Sequence, residues 1–187
     1  MNRPEIASPL RRRGLFALAG AGVLASIGTP RIALATATPA PDQLALRNLH
    51  TGERLVLPAR ADGGLIDTEH ATLNHFLRDH YNNQVTEIDP ALFAQLVGLQ
   101  RLLGKDTPID VISAYRSPRT NAMLRRRRGR GVARHSKHIE GRAIDIRIPS
   151  VSLASVRDAA LELAAGGVGY YPRSKFIHLD TGRVRRW

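Results

Sequence analysis

Hydrophobic and polar positions alternate along "LALRNLHTGERLVL" (44–57), break at His50-Thr51-Gly52-Glu53, and then resume. Period-two patterning on both sides of a turn-forming tetrad predicts a β-hairpin, with His50 in its turn. The spacing then becomes helical. In "DTEHATLNHFLRDHYNN" (67–83), Leu73, Phe76 and Leu77 share one face and Asp67 is placed to cap the start. This reading carries the helix to Asn83 and rotates His70, His75 and His80 around it as polar surface residues. A second amphipathic helix is predicted over 89–105, with Asp89 as cap, Pro90 in the first turn and Gly104 at the end. "PIDVISAY" (108–115) reads as a strand. Ser117 and Pro118 open a helix over 117–129, whose last turn carries Arg125 to Arg128, where cations complement the helix dipole. A strand at "RAIDIRI" (142–148), a helix over 152–167 and short strands at "VGYY" (168–171) and "FIHLD" (176–180) complete the pattern. Strands and helices interleave irregularly. That predicts an α+β fold: a single domain with a mostly antiparallel sheet and helices.

The first 35 residues follow another pattern. "LRRRGLFALAGAGVLASIG" is a basic segment followed by an apolar stretch from Leu15 to Ile27, too short to span a bilayer comfortably. Ala33-Leu34-Ala35 fits a small-x-small cleavage site. Arg12-Arg13, followed by Gly14, Leu15 and Phe16, resembles a twin-arginine export signal. The expected organisation is a signal peptide over 1–35, a flexible linker over 36–42 and a domain over 43–187. The expected location is the periplasm, with no stable membrane insertion after cleavage.

Composition narrows the chemistry. The chain has no cysteine, which excludes disulfides, thiolate catalysis and Cys-type zinc fingers. Any transition-metal site must then use His, Asp or Glu. The formal net charge is +12, and without the first 35 residues 23 basic side chains remain against 15 acidic ones. Such a surface favours an anionic partner, either nucleic acid or a cell-wall polymer with free carboxylates. No aromatics interleave the arginine run, so a stacking nucleic-acid surface is not indicated.

Alternation sorts the strand residues by face. Ile144, Ile146 and Ile148 point one way in "RAIDIRI", and Ala143, Asp145 and Arg147 the other. In "FIHLD", Ile177 and Leu179 oppose Phe176, His178 and Asp180. If the two strands pair with their aliphatic residues on a common face, Asp145 and His178 share the opposite one. His138, in the loop just before the first strand, is placed to close over them. Two imidazoles and a carboxylate make a three-ligand zinc site with a fourth position open to water, which is the catalytic arrangement. Bound water is then acidified and becomes a nucleophile near neutral pH. Satisfied polar residues would account for the same spacing.

"SKHIEGRAID" (136–145) matches the Ser-x-His-x-x-Gly-x-Ala-x-Asp motif of the D-alanyl-D-alanine carboxypeptidase group of zinc peptidases. "SAYRSPRTN" (113–121) resembles the segment that precedes it in that group. "GGVGYYPRSKFIHLDTGRVRRW" (166–187), "LHTGE" and "LRDH" resemble the exported murein endopeptidase K branch. The resemblance covers about residues 43–187 and implies a hedgehog/DD-peptidase-like fold. It implies Zn2+ held by His138, Asp145 and His178. It implies Arg116 as the catalytic and substrate-binding arginine, whose fork suits a carboxylate and whose charge suits a developing oxyanion. Ser136 is the matching substrate-side position, Gly141 permits the tight loop, and His135 and Glu140 match no ligand. Where many members of the group carry a Glu or His base just before the last ligand, this chain has Lys175 and Phe176. The base is then open. Asp180, on the face of His178 and about 6.6 Å along the strand, reads equally as base or as a group orienting a ligand.

The implied function is a zinc metallopeptidase hydrolysing amide bonds in peptidoglycan stem peptides or cross-links. A D,D-carboxypeptidase trimming terminal D-Ala and a non-catalytic zinc-containing wall-binding module are the alternatives.

Overall fold

Asn48 ends the first strand by turning its side chain back, so that its amide oxygen accepts from the backbone N–H of His50 and Thr51. The hairpin this turn closes pairs β1 (Gln43–Asn48) with β2 (Arg54–Pro58), as the alternation predicts. The computed structural model describes residues 43–104, 108–128 and 132–187. The expected signal peptide and linker lie outside the described residues.

Two helices follow, α1 (Asp67–Phe76) and α2 (Pro90–Leu103). α1 is shorter than its periodicity suggests. Asp67 lies in its first turn rather than at the cap, and the Glu69 carboxylate accepts from the N–H of Ile66. The helix stops at Phe76 because Asp79 organises a competing turn. Its carboxylate accepts from Tyr81 N and its carbonyl from Asn83 N, with Asn83 left-handed at φ 60°. His80 therefore sits in that turn and not on the helix. α2 follows its pattern, with the Asp89 carboxylate accepting from Ala91 N, Pro90 in the first turn and Gly104 left-handed at the end.

β3 (Ile109–Ser113) leads to α3 (Pro118–Arg128), capped by Ser117 Oγ, which accepts from Thr120 N. A short 3-10 helix, η1 (Lys137–Glu140), precedes β4 (Ala143–Arg147). α4 (Leu153–Leu163) ends four residues before the predicted limit, because Ala164 turns left-handed. β5 (Gly167–Tyr171), β6 (Phe176–Asp180) and the two-residue β7 (Arg185–Arg186) complete the chain.

The strands form one sheet in the order β2-β1-β3-β4-β6-β5-β7. Most neighbours are antiparallel, and the α+β assignment holds. The β1–β3 and β5–β7 pairs are parallel. The first needs a long connection, which α1 and α2 supply. Leu44, Leu46, Ile109, Val111, Ile144, Ile146, Ile177 and Leu179 come from the sheet. They join Leu92, Phe93, Leu96 and Val97 of α2 and Val156 and Ala160 of α4 in one hydrophobic core. The alternation that buries these aliphatic residues sends Asp145 and His178 to the other face. A bulge between Val111 and Ser113 re-aims the end of β3 at this point.

Candidate metal centre

Asp145 and His178 are directly paired across β4 and β6. His138 comes from η1, which Ser136 caps by accepting from His138 N through Oγ at 3.4 Å. The chain after η1 can pass close against the loop before α2 because Gly141 is left-handed at φ 68°, and a Cβ there would stand 2.2 Å from the carbonyl oxygen of Glu87.

His138 Nε2, His178 Nδ1 and Asp145 Oδ1 converge. The two nitrogens are 3.2 Å apart, and Oδ1 lies 3.3 Å from His138 Nε2 and 2.8 Å from His178 Nδ1. The far side of each imidazole fixes its tautomer. His138 Nδ1–H donates to the carbonyl of Ala114 at 2.6 Å. His178 Nε2–H donates to Asp180 Oδ2 at 3.3 Å. Each near-side nitrogen therefore presents a lone pair toward a carboxylate oxygen. With this arrangement the three facing atoms can be bridged by a cation, a proton or a metal ion. Ligands about 2.0–2.1 Å from a tetrahedral zinc stand about 3.3 Å from one another, so the triangle is of the right size. Among the described residues, His138, Asp145 and His178 are the group that could hold a metal ion.

The electrostatics point the same way. Burial depresses the His138 pKa, keeping the ring neutral and its lone pair available. Burial alone would raise the Asp145 carboxyl, but the two imidazoles hold it well below the usual carboxylate range. Burial would depress His178, yet the negative charge of Asp145 and Asp180 on either side of the ring outweighs it and raises the pKa. Surroundings that attract a proton to this point attract a metal cation too.

Asp180 is fully buried and held by two bonds from Arg185, NH1 to Oδ1 at 2.9 Å and NH2 to Oδ2 at 2.7 Å. The N–H of Gly182 adds a third at 2.8 Å. Burial would raise its pKa, but the bonds from His178 and Arg185 hold it well below the ordinary carboxylate value.

Arg116 NH2 lies 3.4 Å from the second oxygen of Asp145. Three neighbouring backbone amides are held by η1 and by the turn that follows α1. Tyr115 N donates to Leu77 O, Arg116 N to His138 O, and Ser117 N to the buried Asp79 carboxylate. Glu140 is engaged by Lys137 and lies near Arg142, and it does not line the cleft.

The cleft over the cluster has a volume of about 290 Å³. Arg116, Ser136, His138, Asp145, His178 and Asp180 line it, all of them named by the sequence. His135, Lys137, Tyr171, Phe176, Arg185 and Trp187 line it as well. Strand alternation places Phe176 on the face of His178. Nothing in the pattern marked Arg185 or Trp187, which reach the site through a turn.

A family model described as peptidoglycan L,D-endopeptidase MepK matches residues 36–187. Over 177 residues the chain is 50% identical to the peptidoglycan L,D-endopeptidase MepK of Escherichia coli (strain K12), covering 94% of this chain and 96% of that protein. The chain belongs to this family. A probable peptidoglycan L,D-endopeptidase MepK of Haemophilus influenzae is 44% identical, over 94% of this chain and 95% of that protein. Membership of the MepK family bears out the resemblance read from the ordered motifs.

Proposed function

We propose that this chain is a zinc-dependent peptidoglycan endopeptidase that hydrolyses an amide bond in stem-peptide cross-links. The observation that carries the reading is the set of three fixed lone pairs converging at the floor of an open cleft beside an arginine. The L,D bond class in the relatives' names is the expectation for this chain. Its site of action is the periplasm, with export by the twin-arginine route through residues 1–35 and the catalytic domain over 43–187. No helix among the described residues is long and apolar enough to cross a membrane.

His138, Asp145 and His178 would hold the zinc ion. When bound, the ion supplies Lewis acidity that activates water for attack on the amide carbonyl. The protein's own groups do the rest. Ala114 O holds the His138 ring so that only Nε2 faces the cluster. Asp180 does the same for His178 through Nε2–H, which leaves Nδ1 as the ligand atom. Asp180 acts here as a positioning residue, since a carboxylate held by Arg185 and Gly182 resists taking a proton. Arg116 supplies a fixed cation for a substrate carboxylate or for the charge that develops on the attacked carbonyl oxygen. Ser136 lines the cleft on the substrate side while capping η1.

Digestion of purified cross-linked muropeptides tests this directly. Cleavage should stop when a chelator strips the protein and return with Zn2+. His138→Ala should lose both zinc and cleavage. Release of terminal D-Ala alone would make the enzyme a carboxypeptidase. Stoichiometric zinc with no bond cut would make it a binding module. Cleavage surviving complete metal removal would overturn the metallopeptidase reading.

A further inference from the structure

The chain has one tryptophan, and it stands in the cleft. Trp187 is fixed by its main chain, whose N–H donates to Val168 O at 3.2 Å and whose carbonyl accepts from Tyr170 N at 3.0 Å, continuing the pairing along β5. Its indole N–H donates to Tyr171 Oη at 2.7 Å, and Tyr171 stacks on Phe176 with ring centroids 4.5 Å apart. The Arg185 guanidinium lies 4.7 Å from the indole, and the His178 ring centroid lies 5.4 Å away. Room for the indole comes from Gly169, the cross-strand neighbour of His178. A Cβ on Gly169 would stand 2.9 Å from Trp187 Cε2 and 2.8 Å from Tyr171 Cε2.

The indole is thus held by main chain, by a hydrogen bond and by a cation, yet it remains 49% exposed. A large apolar side chain kept rigid and half in water beside a metal ligand has a low entropic cost of binding and a large area to offer. The rest of the lining mixes the apolar Val132 and Ala133 with polar side chains, among which Arg116 and Lys137 bring positive charge.

We propose that Trp187, braced by Tyr171 and Phe176, is a specificity-determining wall that receives an aliphatic stretch of the stem peptide next to the scissile amide. Arg116 and Lys137, on the same cleft, face the peptide's carboxylates. This rests on the endopeptidase reading for the identity of the occupant. Aromatic anchors of this kind make up a large part of binding energy, and their effect falls on association rather than on chemistry.

Because Trp187 is the only tryptophan, its emission reports on the wall alone. A soluble cross-linked muropeptide is titrated into chelator-treated protein, where no turnover occurs, and separately turned over by zinc-loaded wild type, Trp187→Ala and Trp187→Phe. The emission should change saturably. Trp187→Ala should raise KM about tenfold with kcat within about twofold. Its zinc stoichiometry should be unchanged, and Trp187→Phe should recover most of the loss. Saturable emission without cleavage would refute the endopeptidase reading and leave the wall standing. Cleavage with silent emission and an unchanged KM in Trp187→Ala would overturn the wall and leave the enzyme. Lost zinc in both variants would reduce Trp187 to a structural prop and also overturn it.

Discussion

Asp180 carries two readings that a single substitution separates. The side chain is fully buried, bonded to His178 Nε2–H and chelated by Arg185. As the group that orients a ligand, its replacement in Asp180→Asn should weaken zinc binding by about 10–100-fold, while the zinc-saturated variant keeps most of its kcat. As the general base, the same change should leave zinc affinity intact and cost about 10²–10⁴ in kcat. Zinc titration followed by kinetics at saturating metal decides, and the geometry predicts the first result. The sequence could place Asp180 on the correct strand face because alternation is a local rule. It could not rank the two roles, because the ranking depends on Arg185, five residues on and brought back by a turn. The three residues proposed as ligands were legible for the opposite reason. Two lie on strands of fixed periodicity, and the third sits on a loop whose Gly141 is explained by its close approach to Glu87 O.

At the scale of elements, the connection from α1 to α2 departs most from its sequence pattern. A helix continued to Asn83 would have carried His80 outward. Asp79 captures the chain instead, and His80 stacks on His50 from the hairpin turn, with centroids 3.9 Å apart and planes 5° from parallel. Burial first, then the neighbouring His50 and Arg116, lower the His80 pKa to about 4, against the opposing pull of Asp79. An unfolded histidine titrates near about 6.5. The native state therefore binds fewer protons than the unfolded chain in this window, and the stability present above about pH 6.5 drains away as the pH falls toward 4. His80→Phe keeps an aromatic partner for His50 and removes the titration. Its melting temperature relative to wild type should rise by a few degrees between pH 7 and pH 4.5, and a constant difference across that range would rule out the stacked, neutral His80. Asp110 belongs to a lower window. Burial would raise it, but Arg47 and Arg147 lower it, so its contribution is lost only below the ordinary carboxylate range. The same carboxylate ties β1 and β4 to β3 through those two arginines.

For the molecule as a whole, the α+β class and the dominance of antiparallel pairing followed from irregular interleaving. The two parallel junctions did not. The β1–β3 pairing depends on how far α1 and α2 carry the chain, and β7 is two residues long, below any periodicity. On the proposed reading, a metal ion held at the centre of the sheet would be a folding ligand as well as a catalytic one. With free zinc at about a thousand times its dissociation constant, the gain is about 4 kcal/mol. For a domain of this size that corresponds to roughly 10 °C. Calorimetry before and after chelation should show that drop, reversed by Zn2+, while His138→Ala should melt at the same temperature with or without metal.

The exchange of hydrogen bonds between His138 and the strand end beside it has one more consequence. The ring donates to Ala114 O while the main-chain carbonyl accepts from Arg116 N, so the proposed ligand and the arginine ride on one clasp. Ionic radius then becomes a steering variable. A cation larger than zinc that pushes the imidazole outward carries the arginine's backbone with it. Cobalt, close to zinc in size, should support near-normal turnover. Cadmium should bind well and still turn over poorly, because it misplaces a cation it never touches.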